Sequence, residues 1–134
     1  MSGVDPAARI VLLVEDSDAI RDAFTILLED AGYAVLGAAG GGEALRLAGE
    51  RVPDLVLLDM GLPDMTGLEV VRRLKAAPQT AGIAVVALTG RDEEADRRAC
   101  LAAGCAAYIV KPVNTQKLVR DLPGWMAAAH SIDM

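Results

Sequence analysis

The sequence predicts an α/β fold: a five-stranded, doubly wound parallel sheet with five helices on its two faces. Two observations carry this reading. Arg9–Val14, Leu55–Leu58 and Ile83–Leu88 are short and apolar without alternation, as strands buried on both faces are. Between such runs lie segments with apolar residues at helical spacing, ended by Gly or Pro. Strand and helix repeat in this order five times, which implies right-handed crossovers and a ligand site beyond the carboxyl ends of the strands.

The elements follow in order. Residues 1–8 carry Gly, Asp and Pro without periodicity and read as a flexible lead-in to a domain over 9–129, with a tail at 130–134. After the first strand, Asp16, Ser17 or Asp18 can cap a helix whose core positions are Ile20, Phe24, Leu27 and Leu28, closed by Gly32. Tyr33–Ala38 reads as the second strand, Gly40-Gly41-Gly42 as a loop and Glu43–Glu50 as a short helix. Leu55–Leu58 is closed by Asp59, and a turn with Gly61, Pro63 and Gly67 leads to a helix over Leu68–Ala77. Ile83–Leu88 ends at Thr89-Gly90, a helix spans Asp92–Ala103, and Ala106–Val110 ends at Lys111-Pro112. Asn114 or Thr115 caps the final helix. Pro123-Gly124 interrupts it, so it either kinks or restarts there.

Composition removes several function classes. Thirteen Lys and Arg against 19 Asp and Glu leave a net charge of −6, unlike a duplex-binding surface. Aromatic residues are 3%, too few for a stacking platform. Cys100 and Cys105 form no metal or disulfide pattern and read as small buried side chains of a reducing, cytoplasmic compartment. The apolar run Ile10–Val14 is too short for a signal peptide or a membrane span.

The chemistry gathers at the strand ends. Glu15 and Asp16 follow the first strand, Asp59 the third, Thr89 the fourth and Lys111 the fifth. Three clustered carboxylates raise one another's pKa or demand a cation. An all-oxygen set suits a hard ion, Mg²⁺ or Mn²⁺, which favours a phosphoryl oxygen as a further ligand. A carboxylate beside such an ion and a lysine can attack a phosphoryl donor.

These residues resemble the receiver domain of two-component response regulators, including the single-domain chemotaxis type. The likeness rests on Glu15-Asp16, on Asp59 followed by Met-Gly-Leu-Pro-Asp-Met-Thr-Gly, on Thr89-Gly90 and on Lys111-Pro112, and spans about Arg9 to Ala129. It implies a flavodoxin-like strand order 2-1-3-4-5. It implies that Asp59 accepts a phosphoryl group from a histidine kinase or histidine phosphotransfer protein and loses it slowly by self-dephosphorylation. Glu15, Asp16, Asp59 and the Gly61 carbonyl would hold Mg²⁺. Thr89, Lys111, Gly90 and Met60 would contact the phosphoryl group, and Thr89 and Tyr108 would act as a switch. The Lys111–Pro112 peptide would be cis. Ser17, Ile20, Arg21 and Ala23 of the first helix, with Pro112 and Val113, would face the phosphoryl-donating partner. A downstream protein would read the output, with neither nucleic acid nor membrane as a direct partner.

Two departures from the family bear on lifetime. Gly61 stands two places after Asp59 and Arg91 two places after Thr89, and neither can orient an attacking water. A long-lived phosphoryl-Asp59 is expected. Simpler readings stand beside these. Glu15-Asp16 alone would suit a solvated helix start. Tyr108 can be a packed strand residue, and Arg91–Arg98 a solvated helix face. Ala19, Ala23 and Ile26 add an apolar line to the first helix that marks either a partner site or plain helix propensity. Trp125 reads as core or interface filler, and His130 carries no assignment.

Three other identities were weighed. A receiver cut from a hybrid kinase or larger regulator would share the chemistry, although residues 1–8 look like an ordinary start. No output domain is expected after the final helix. A dehalogenase-like hydrolase would need a second acid where Gly61 stands. An FMN carrier would need hydroxyl and glycine residues where Glu15-Asp16 would repel phosphate.

Overall fold

Burial on both faces of the central strands sets the layers. The computed structural model describes residues 8–131; the expected lead-in and tail fall largely outside these. In chain order the elements are β1 (Ile10–Val14), α1 (Asp18–Asp30), β2 (Ala34–Ala38), α2 (Gly41–Arg51), β3 (Leu55–Asp59), α3 (Gly67–Ala76), β4 (Ala84–Thr89), α4 (Glu94–Ala103), β5 (Ala107–Val110) and α5 (Thr115–Ser131). All strand pairs are parallel, in the order β2-β1-β3-β4-β5. The expected fold class and order therefore stand.

Successive strand residues point to opposite faces. Leu12, Val14, Val56, Leu58, Val85 and Ala87 meet one set of helices, through Ala44 and Ala48 of α2, Val70, Val71 and Leu74 of α3, and Cys100 of α4. Val11, Leu13, Leu55, Leu57, Val86 and Leu88 meet Leu28 of α1 and Leu118, Leu122 and Met126 of α5. The two cores share no residue, so the sheet is the wall between them. Trp125 packs at the margin of the second core, as filler.

Three expectations are corrected. Gly41 and Gly42 belong to α2 rather than to a loop, because their N–H groups find acceptors in Asp64. Ile20 is 43% exposed rather than core, since α1 begins at Asp18 and its inner face is centred on Leu28. Helix α5 runs through Pro123 as one element rather than restarting there. An interior Pro costs about 3 kcal/mol. Burying Leu118, Leu122 and Met126 on one face contributes roughly 1.5–3 kcal/mol each, which outweighs it.

At the end opposite the strand carboxyl termini, Lys75 fastens three elements. Its Nζ donates to the carbonyls of Ala81 (2.9 Å) and Ile83 (2.7 Å). Its stem lies against Gly104, where a Cβ would come within 3.1 Å of Lys75 Cγ. Gly104, at φ 115°, ends α4, and Cys105 N–H returns to the Cys100 carbonyl at 3.1 Å. Both thiols are free and buried, and burial pushes that of Cys105 up to about 12, which keeps it inert.

Val52 ends α2 in the left-handed region, at φ 43° and ψ 72°, with 49% of its surface exposed. A β-branched residue pays about 1–2 kcal/mol there. Val52→Gly is expected to raise stability by roughly 0.5–1 kcal/mol once its entropy cost is set against that relief. Thermal unfolding of the two proteins checks this, and a lower midpoint for the variant contradicts it.

Candidate functional site

Each backbone at the sheet edge is held by a bond that prolongs a strand ladder. Glu15 N–H donates to Ala38 (2.9 Å), Met60 N–H to Leu88 (2.9 Å) and Lys111 N–H to Thr89 (2.7 Å). Asp59 and Thr89 are the last residues of β3 and β4 rather than the first beyond them. Because β1, β3, β4 and β5 end within two residues of one another in register, the five expected side chains share one edge.

There the carboxylates of Glu15, Asp16 and Asp59 place oxygens within 4.8 Å of one another. Glu15 and Asp59 are buried and Asp16 is exposed. Lys111 Nζ stands 3.3 Å from Asp59 Oδ1 and 3.8 Å from Glu15 Oε1. Glu15 Oε2 accepts from Ser17 N–H (3.0 Å), and Asp59 Oδ1 from Gly61 N–H (3.1 Å). Thr89 Oγ1 accepts from Arg91 N–H at 3.0 Å, which leaves its own proton to donate.

The charges do not balance, with three carboxylates around one ammonium. Burial pushes the Glu15 carboxyl above its ordinary range, the Ser17 N–H holds it down, and the facing charge of Asp59 pushes it further up. A buried, all-oxygen set with surplus negative charge is what a hard divalent cation requires. The residues present therefore fit Mg²⁺.

Asp59, Thr89 and Lys111 form one end of an open cleft of about 580 Å³ that runs past Gly61 and Gly90 to Tyr108 and α4. Tyr108 is buried, its hydroxyl donating to the Arg91 carbonyl (2.8 Å), with the Arg97 guanidinium 5.1 Å from its ring centre. Met60 was expected to contact the phosphoryl group, but its N–H is engaged by Leu88. The N–H that faces Asp59 is that of Gly61. The Lys111–Pro112 peptide is cis.

A second cleft of about 290 Å³ opens between α1 and the segment after β5. Of the residues expected to face a partner, Ile20, Pro112 and Val113 line it. Ser17 instead caps α1, accepting from Ile20 N–H at 3.3 Å. Arg21 turns back, donating to the Glu15 carbonyl (2.6 Å) and pairing with Asp18. Ala23 is exposed on α1, with Ala19 and Ile26.

Sequence reasoning placed Arg21 on the partner surface and missed its bond to Glu15, and it gave Asp64 no role. The first locks the backbone of Glu15. The second bridges 23 and 22 residues back to Gly41 and Gly42. The available signal was Gly40, a helix N-cap with no side chain to serve it.

The profile described as the response regulator receiver domain matches residues 11–122. The polar-differentiation response regulator DivK of Brucella ovis is 35% identical over 119 residues, covering 89% of this chain and 97% of DivK. A CheY-like receiver domain protein from Methanospirillum hungatei JF-1 superposes with a TM-score of 0.86 at 31% identity, over 93% of this chain and 98% of the other. The receiver domain of the sensor histidine kinase PA1611 from Pseudomonas aeruginosa PAO1, solved with a magnesium ion coordinated in its active-site cleft, gives 0.82 at 32% identity, over 90% and 99%.

A raised carboxyl pKa in the folded protein means that folding favours the protonated form. Stability linked to Glu15 is fully present below its unfolded value and is lost as pH rises through the folded one. In metal-free buffer, Glu15→Gln is expected to raise the unfolding midpoint at pH 7 and to flatten its rise on acidification. Thermal scans between pH 4 and pH 7 decide it. A variant less stable at pH 7 with the slope intact contradicts the reading.

Proposed function

We propose that this chain, which belongs to the response regulator receiver domain family, takes a phosphoryl group from a phosphohistidine onto Asp59 and signals through protein contacts. The observation that carries the proposal is Lys111 Nζ at 3.3 Å from the buried Asp59 carboxylate, at the end of a strand with no exposed residue. That pair puts a nucleophile and a fixed cation at one point.

Transfer needs positioning and charge neutralisation more than covalent help. An Asp59 carboxylate oxygen attacks phosphorus, the P–N bond breaks, and the imidazole keeps the electron pair and takes a proton. Lys111 stays beside the acceptor and neutralises the phosphoryl oxygens. The Thr89 hydroxyl donates to one of them, and the Gly61 N–H turns from Asp59 Oδ1 to the new group. Glu15, Asp16, Asp59 and the Gly61 carbonyl would hold Mg²⁺, whose charge offsets the carboxylates and the incoming phosphoryl oxygens; Mn²⁺ suits the same donors. A small acyl phosphate can replace the protein donor, the domain catalysing its own phosphorylation.

The donor is a sensor histidine kinase or a histidine phosphotransfer protein, received at the cleft between α1 and Pro112-Val113. Phosphorylation adds about −1.5 to −2 charge where Thr89 sits. Thr89 is linked through the Arg91 backbone to Tyr108, so its movement reaches α4 and β5, where a downstream protein would bind. A cytoplasmic place belongs to the same reading; separately, no helix among the described residues is long and apolar enough to cross a membrane.

A long-lived phosphoryl-Asp59 is part of this reading. A Cβ on Gly61 would lie 3.8 Å from Asp59 Oδ1, so a side chain there would overhang the acceptor, and the wild type has none. Arg91 is drawn aside by Glu93 (2.9 Å) and Asp96 (3.6 Å).

Intact mass after incubation with acetyl phosphate tests both parts. One phosphoryl group is expected with Mg²⁺, none with chelator and none on Asp59→Asn. After donor removal, the wild type is expected to keep the group longer than the double variant Gly61→Asn, Arg91→Glu. Uptake by Asp59→Asn overturns the site, and a wild-type half-life no longer than the double variant's overturns the lifetime argument.

A further inference from the structure

Helix α2 is capped from outside itself. Its N-cap is Gly40, in extended backbone and with no side-chain acceptor. Helix starts leave their first N–H groups without partners. Here Gly41 N–H donates to Asp64 Oδ1 at 2.8 Å and Gly42 N–H to Asp64 Oδ2 at 2.9 Å. A carboxylate across two such donors gains charge-assisted bonds and a favourable helix dipole together. These bonds hold the Asp64 carboxyl below the ordinary aspartate range.

The glycines are shaped to the loop that brings Asp64. A Cβ on Gly41 would stand 2.4 Å from Met65 Cγ, and one on Gly40 would stand 2.9 Å from Asp64 Oδ1. The loop over 60–66 thus lies where side chains of α2 would otherwise be. The same loop contains Gly61, whose N–H reaches Asp59 Oδ1. One end of the loop is fixed by Met60 N–H on Leu88, the other by Thr66, which caps α3 by accepting from Glu69 N–H. Asp64 ties the stretch between.

We propose that Asp64 is a positioning residue of the phosphoryl-accepting site, clamping the β3–α3 loop to the N-terminus of α2 and so fixing the Gly61 backbone beside Asp59. It touches no reacting atom; it acts through Gly61. The proposal rests on the function argued above, and it makes the start of α2 part of the apparatus that receives the cation. Without the clamp, the loop must be ordered each time Gly61 is engaged, and that ordering opposes binding.

The test uses the full chain, ¹⁵N-labelled, as wild type, Asp64→Ala, Asp64→Asn and Thr80→Ala. The last removes a buried hydroxyl bond to Leu74 at the far end of the molecule and serves as a control for lost stability. Mg²⁺ is titrated while the Gly61 amide resonance is followed, and phosphoryl uptake from acetyl phosphate is then measured by mass at saturating Mg²⁺. Asp64→Ala is expected to raise the Mg²⁺ midpoint roughly ten-fold, in the range for loss of a partner that orients a ligand, with uptake at saturation kept. Asp64→Asn, with one acceptor oxygen, falls between. Thr80→Ala leaves the midpoint unchanged. An Asp64→Ala midpoint equal to wild type, or one matched by Thr80→Ala, overturns the proposal. If Asp64→Ala does not fold, Asp64→Asn is judged by the same rule. A wild type with no Mg²⁺ response at Gly61 overturns the clamp, whereas a wild type that binds Mg²⁺ but gains no phosphoryl mass overturns only the acceptor reading.

Discussion

Strand β3 has no exposed residue, and the rest of the molecule is arranged around that constraint. It pairs with β1 on one side and β4 on the other, and its side chains feed both cores. Burying Leu55, Val56, Leu57 and Leu58 contributes roughly 6–12 kcal/mol before entropy is charged, at about 1.5–3 kcal/mol per side chain. A strand held this firmly cannot shift its register, because one residue of slip would turn each core side chain to the wrong face. Asp59, its last residue, is therefore placed by the whole fold.

That rigidity is set against an electrostatic conflict at the same end. Glu15 and Asp59 are withdrawn from water and face one another, with Asp16 at the rim and Lys111 between. Burial alone would favour protonating a carboxyl. The main-chain N–H of Ser17 opposes this at Glu15, that of Gly61 donates to Asp59, and Arg21 holds the Glu15 carbonyl from behind. The site stores a modest charge excess on a scaffold stable enough to tolerate it, with its polar groups already in position.

The sheet and the cluster of polar residues at its edge were legible because both are written locally. Unbroken apolar runs mark buried strands, and Asp59, Thr89 and Lys111 stand where those runs stop. The misses share a cause. Asp64 and Gly41 meet across 23 residues, so no local pattern shows that a loop carboxylate turns glycines into the first turn of a helix. Pro123 reads as a break on propensity, yet tertiary burial of Leu122 and Met126 on either side of it overrides that cost. Ile20 has the right spacing for a core residue, but spacing fixes only a face. Ile20 lies in the first turn of α1, at the open cleft beside Pro112 and Val113.

Helix α4 is fastened at one end. Its C-terminus is closed by Gly104, turned back through Cys105 to Cys100, and pressed on the Lys75 stem that also grips the entrance of β4. Its N-terminus begins at Glu93 with no side-chain cap, in a segment exposed to water beside the cleft at Asp59. An element so mounted is a lever with its fulcrum at Gly104. A small push near Arg91, where Tyr108 is the contact with β5, would swing that end over the widest arc about the pivot, so a ligand of this face would sense a change of angle, read most sensitively along the first turn of α4.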